Sequence, residues 1–169
     1  EASVDGHAGA PAQSRRKSGC DRPLFGMGCP APSGAGAEIV KDSRDLHLMV
    51  ISDVIPAIHR LLKLKKELLR LVMSRNPTAA VLIDSPDFHL PLAAALRKEG
   101  WEGPVVSLVP PTVWAWRSGR VKALRRYFDL CLPLFRFEHE YLQDRGAVSA
   151  WQGHPLAGDF QGPLPKAPG

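Results

Sequence analysis

Two aspartates bracketing a Ser-Pro pair, Asp84 and Asp87 in the string IDSPDF, are the first candidates for chemistry. A carboxylate at the mouth of a strand and ahead of a helix can take a proton from an attacking hydroxyl, provided it is held within hydrogen-bond reach. The competing reading is structural: Asp87 caps the helix and Asp84 orders the turn. Further on, PPTVWAWR puts Trp114, Trp116 and Arg117 in a loop stiffened by Pro110 and Pro111. Indole faces suit sugar rings or acyl chains and a guanidinium suits phosphate, although tryptophans also serve as buried anchors of a loop. His154, between Gly153 and Pro155, is held in a turn where an imidazole can donate to a phosphate or a sugar hydroxyl. With no orienting carboxylate beside it, it reads on its own as a structural histidine.

These residues need elements to position them. Ser52 can cap a helix running to about Ser74, with Pro56 in its first turn and apolar residues recurring at helical spacing. Ala79 to Asp84 is a short apolar run of the kind that forms a strand buried on both faces, and Leu90 to Glu99 reads as a helix stopped by Gly100. Pro104 to Val109 predicts a second strand, Ser118 to Arg126 a helix and Asp129 to Leu134 a third strand. Phe137 to Arg145 predicts a helix stopped by Gly146, and Ala147 to Trp151 a fourth strand. Strands alternating with helices over short connections predict an α/β fold, a Rossmann-like parallel sheet with flanking helices. In such sheets ligands sit beyond the carboxyl ends of the strands. The unusual clusters all follow strands: 84–88, 110–117, 134–138 and 153–155. Before Glu38, the stretch from Pro11 to Ala37 is rich in Gly, Pro, Ser and Ala and is expected to be loop.

Composition narrows the function classes. The 169 residues are 44% hydrophobic and 23% charged, enough for one globular domain. Charges interrupt every apolar stretch before the roughly 20 residues of a membrane-spanning helix. Residues 1–10 show no basic start followed by an apolar run, so no secretory signal is expected, and a chain opening at Glu1 reads as a fragment or a processed product. Cys20, Cys29 and Cys131 form no C-x-x-C pair, which argues against a disulfide framework and a structural zinc. The formal charge of +5 points to an anionic partner. Much of it lies on the long helix, where Arg60, Lys63, Lys65, Lys66, Arg70 and Arg75 face the single acid Glu67. A basic amphipathic helix fits an anionic membrane surface, with Lys63, Leu64, Lys66, Arg70 and Leu71 the expected outward residues; a solvated face on a core helix is the plainer alternative. Nucleic acid is not expected, because no aromatics interleave with this charge and no recognition motif is present.

The strings VLIDSPDFHLPLAAALRKEG, VPPTVWAWRSGRVKAL, PLFRFEHEYLQDRGAV and QGHPLAGD, in that order, resemble the lipid-A-disaccharide synthases from about Ala37 through Asp159. The resemblance implies the N-terminal, acceptor-side half of a two-domain glycosyltransferase of the GT-B type. Residues 1–37 would be a divergent remnant of the first strand-loop-helix, 38–160 the Rossmann-like domain and 161–169 a tail, with the C-terminal UDP-binding domain absent. The implied reaction joins a UDP-2,3-diacylglucosamine donor to a 2,3-diacylglucosamine 1-phosphate acceptor with inversion, without metal or cofactor. The match carries the catalytic role to the pair Asp84 and Asp87 without choosing between them. It carries substrate binding to Glu1, Ser3, Asp5, Trp114, Trp116, Arg117, Glu138 and His154. It also implies a cytoplasmic protein, peripheral on the inner face of the inner membrane; a homo-oligomer is compatible with the sequence.

The departures matter as much as the match: the family's opening strand is absent, and the helix after its Gly-rich loop is replaced by the Gly- and Pro-rich tract. Val4 stands where the family's G-E-x-S-G-D loop has Gly, and Val50 where Gly is usual. Without a donor half, the chain alone is expected to be inactive. Two other readings stay open: a non-catalytic lipid- or membrane-binding remnant, and a related glycosyltransferase acting on polyprenyl-linked sugars.

Overall fold

The computed structural model describes residues 24–28, 37–42, 54–115 and 117–154. Two strands come first, β1 (Leu24–Gly28) and β2 (Ala37–Asp42), paired in parallel with Leu24 opposite Ala37. β1 falls within the tract expected to be loop. Its apolar Leu24, Phe25 and Met27 are what the strand uses: Met27 packs against the core, and Phe25 lies under the Arg75 guanidinium at 4.7 Å. Arg75 also grips Glu38 of β2 with two bonds of 2.6 and 2.8 Å. That bond, opposed by slight desolvation, leaves the Glu38 carboxyl below its usual pKa.

Arg75 ends helix α1 (Val54–Arg75). A second sheet follows from three apolar runs, β3 (Ala80–Ile83), β4 (Val105–Leu108) and β5 (Leu130–Leu132), all parallel in the order β3-β4-β5. Parallel neighbours need crossovers, supplied by α2 (Pro86–Lys98) between β3 and β4 and α3 (Arg120–Tyr127) between β4 and β5; α4 (Arg136–Asp144) follows β5. α2 starts at Pro86 rather than near Leu90, since proline is well suited to the first helical position. Its stop is where the sequence puts it. Gly100 takes φ +82°, and the Trp101 N–H returns to the Leu96 carbonyl at 3.0 Å.

The core lies between sheet and helices. α2 buries Phe88, Leu92, Ala93 and Leu96, α3 Val121 and Leu124, and α4 Leu142, against Val105 and Cys131 of the sheet. Burial pushes the Cys131 thiol up to about 12, so it packs as an inert apolar group. Two expectations fail at the margins of the sheet. Among the described residues β3 lies at the edge of its sheet, and Val81 stays 49% exposed instead of being covered on both faces. The fourth strand reduces to one bridge from Ser149 to Cys131, held by Cys131 N–H to Val148 O at 2.9 Å and Ala150 N–H to Cys131 O at 3.0 Å.

The outward face of α1 also differs from expectation. Leu64 is 6% exposed and sits in the core, and Leu71 is half-buried. Leu61, Leu64, Leu68 and Val72 recur at helical spacing on the packed side, so Leu64 belongs to the main stripe. The apolar residues facing out are Ile58, Leu62 and Met73, alongside exposed Lys63, Lys66 and Arg70. No helix among the described residues is long and apolar enough to cross a membrane.

Leu96 has no exposed surface, and Leu96→Ala should cost roughly 2–5 kcal/mol in denaturant unfolding. A loss well under ~1 kcal/mol would mean that α2 does not carry the core in this way.

Candidate active site at the carboxyl edge of the sheet

Because β3, β4 and β5 are parallel, the residues after each strand emerge on one edge. Backbone bonds knit that edge: Asp84 N–H donates to Leu108 O, and Val109 N–H to Leu132 O, both at 3.1 Å. Four non-glycine residues in the loops after β3 and β4 adopt left-handed backbone, Asp84 (φ 52°), Ser85 (φ 43°), Val109 (φ 56°) and Arg117 (φ 54°). Each such residue costs on the order of 1–3 kcal/mol, most for the β-branched Val109. Strain of this kind persists only where its surroundings enforce it.

The surroundings of Asp84 and Asp87 are specific. α2 begins after Ser85, which makes no side-chain cap bond, so neither aspartate is the N-cap and the capping reading falls away. Asp87 lies in the first turn, where the helix dipole favours a carboxylate. Its Oδ1 accepts from Arg117 Nη1 at 3.1 Å and from Arg120. Arg120 is mostly covered while Asp87 is open to solvent. Arg117, expected to meet phosphate, is therefore tied to Asp87, and the pair joins the loop after β4 to the turn after β3. The Asp84 carboxylate accepts no hydrogen bond among the described residues.

Behind the turn stands His89, which the sequence did not single out. Its Nδ1 lies 2.7 Å from the Asp84 carbonyl. A carbonyl only accepts, so Nδ1 carries the proton. Burial pushes the imidazole below its ordinary pKa, and the bond to Asp84 and the Asp84 charge oppose this only in part.

The second cluster is aromatic. Trp114 Nε1 donates to Glu138 Oε1 at 3.0 Å, and the Phe135 N–H donates to Glu138 Oε2 at 3.3 Å. Glu138, expected to touch substrate, is 8% exposed and turned inward. It orients Trp114 and starts α4 instead of facing the open edge. Trp114 meets the Phe137 ring edge-on at 5.1 Å, Phe135 stacks on Phe137 at 5.8 Å, and His154 lies 5.9 Å from Phe135. All three large rings are nearly half exposed. This is a surface of ring faces beside an imidazole, suited to a sugar or an acyl chain. Phe135 and Phe137 lie in the 134–138 cluster that follows a strand, but the sequence reading assigns neither of them a role of its own. The only signal was their place after a strand. Glu1, Ser3, Asp5 and Trp116 lie outside the described residues.

The imidazole has a consequence for stability. The unfolded chain takes up a proton near the ordinary histidine value of 6.5, and the native chain only at lower pH. The contribution of neutral His89 is therefore present above that value and lost as pH falls through the folded one. Unfolding free energies measured from about pH 7 downward should decline less steeply for His89→Asn than for the wild type. Superimposable profiles would remove His89 from the acid response.

The Lipid-A-disaccharide synthetase family model matches residues 1–164. Curated lipid-A-disaccharide synthases are similar over nearly the whole chain. The protein of Anaeromyxobacter dehalogenans strain 2CP-C is 39% identical over 93% of this chain and 40% of its own length. That of Solibacter usitatus is 40% identical over 94% and 41%, and that of Myxococcus xanthus 36% identical over 96% and 42%. The chain thus spans about two fifths of the length of these relatives. The edge that gathers Asp84, Asp87, Trp114, Arg117 and His154 belongs to a chain whose match runs through all four motif clusters, and the chain is a member of the Lipid-A-disaccharide synthetase family.

Proposed function

We propose that this chain is the acceptor-side half of a glycosyltransferase that builds the lipid A disaccharide. Its acceptor would be 2,3-diacylglucosamine 1-phosphate and its donor UDP-2,3-diacylglucosamine. The observation that carries the reading is the convergence of the segments after β3, β4 and β5 on one sheet edge, with His154 beside Phe135, in a member of this family. An acceptor hydroxyl gives its proton to a carboxylate of the Asp84/Asp87 pair as its oxygen bonds the donor's anomeric carbon. The bond from that carbon to the UDP oxygen breaks, and UDP leaves with the electron pair, inverting the centre. The exposed rings of Trp114, Phe135 and Phe137 offer faces for the acceptor's sugar or acyl groups. Arg117 and His154 supply donors for its phosphate and hydroxyls.

The test uses a chimaera in which this chain replaces the corresponding part of the Anaeromyxobacter dehalogenans relative. Asp84→Asn or Asp87→Asn should lower turnover by about 10²-fold or more. Wild-type rates in both would remove the pair from the chemistry. These 169 residues, which span about two fifths of the relatives' length, should form no disaccharide by themselves, because a part of that length is not expected to hold both reactants in line; product above a no-enzyme control would contradict this.

The outer face of α1 supports attachment to an anionic membrane, which for this chain would be the cytoplasmic face of the inner membrane. Ile58, Leu62 and Met73 expose apolar surface beside Lys63, Lys66 and Arg70, the combination of an interfacial helix. Vesicles with anionic headgroups should sediment the chain at low salt and release most of it at high salt. Ile58→Ser with Leu62→Ser should abolish the binding that salt leaves behind. Equal binding of wild type and variant at high salt would reject these side chains, and no binding at low salt would reject the membrane role.

A further inference from the structure

Asp84 and Ser85 are consecutive non-glycine residues with left-handed backbone, at φ 52° and 43°. They carry the chain from the end of β3 into α2 and fix where both candidate carboxylates stand. One residue holds both of their carbonyls. The His89 backbone N–H donates to Ser85 O at 2.9 Å, the first regular bond of the helix, and the His89 side chain reaches back to Asp84 O at 2.7 Å. On the other side the Asp84 N–H is committed to Leu108 O of β4. The turn is therefore pinned to the sheet through its N–H and to the helix through its carbonyls. Only the helix-side pin on Asp84 is a side chain, and so a choice made by sequence.

The ring's geometry fixes its protonation. Nδ1 must donate, so the neutral ring is the Nδ1–H form, the one less favoured by free imidazole in water, and Nε2 is left as an acceptor. Phe88 lies edge-on to the ring at 5.5 Å and helps set its plane.

We infer that His89 is a positioning residue. By donating Nδ1–H to the Asp84 carbonyl it locks the left-handed Asp84–Ser85 turn and thereby aims the Asp84/Asp87 carboxylates at the acceptor. The inference rests on the reading that this pair serves as the base. The lock itself does not depend on that reading, which allows the two to fail separately.

The 169-residue chain, labelled with ¹⁵N and ¹³C, is the first test. The ring-nitrogen shifts of neutral His89 should show a protonated Nδ1 and a bare Nε2; the opposite tautomer would overturn the lock. Backbone shifts of Asp84 and Ser85 should report left-handed conformation in the wild type. They should keep it in His89→Asn, whose amide N–H stands near the place of Nδ1, and lose it in His89→Leu. An unchanged turn in His89→Leu would also overturn the lock, and if His89→Leu does not fold, the tautomer and the Asn variant still decide. In the chimaera with the Anaeromyxobacter dehalogenans relative, His89→Leu should lower kcat about tenfold, the size of one lost hydrogen bond, with KM within about twofold, and His89→Asn should restore most of it. A kcat unaffected by His89→Leu, where Asp84→Asn or Asp87→Asn abolishes turnover, would refute the aiming role. Spectra as expected together with full turnover in both aspartate variants would instead remove the catalytic reading and leave the lock standing.

Discussion

The parallel pairing of β3, β4 and β5 is the constraint on which the rest depends. Parallel strands cannot be joined by tight hairpins, so each is followed by a crossover, and the loops leading into the crossovers all leave by the same edge. Asp84, Val109 and the segment before Phe135 are neighbours for that reason alone, although the sequence separates them widely. The sheet also supplies the force that holds the edge in strained conformations. The Asp84 and Val109 N–H groups are committed to carbonyls of the next strand, and leaving them would strand partly buried polar groups. Left-handed backbone at a β-branched valine is tolerable only under such a commitment.

On this scaffold the polar groups divide into those that face the open edge and those that set them in place. Glu138 and His89 are inward; each spends its hydrogen bonds on another site residue, the indole of Trp114 in one case and the carbonyl of Asp84 in the other. Arg120 is intermediate, a largely covered cation that joins Arg117 in holding Asp87. The groups turned outward are the carboxylates and the rings of Trp114, Phe135 and Phe137, with the partly covered His154 beside Phe135. Residues matched by family motifs thus do two kinds of work, and only burial and hydrogen bonding separate them.

Much of this was legible in the sequence where local physics decides. Short apolar runs gave the three central strands, and Gly100 and Gly146 marked helix ends because their backbone needs positive φ. The clusters at strand ends followed from the parallel arrangement. Legibility failed where tertiary contact decides. Leu64 looked off the apolar stripe of α1, yet that stripe is set by what the helix packs against. β1 was hidden in a Gly- and Pro-rich tract because a strand of five residues can stand on three apolar side chains and one partner. The final strand shrank to a bridge because only Ser149 finds a partner in Cys131. His89 left no sequence signal, since a histidine five residues beyond an aspartate means nothing until the intervening turn is left-handed.

The proposed division of substrates between this edge and the rest of the relatives' length is the central claim, and amide shift mapping of the labelled chain tests it most directly. 2,3-Diacylglucosamine 1-phosphate, presented in a neutral detergent, should perturb residues 84–89, the loop around Trp114 and Arg117, residues 134–138 and His154, while UDP at the same concentration leaves them unchanged. Perturbation by UDP alone, or acceptor-induced shifts confined to the opposite edge around Gly103 and Asp129, would contradict it.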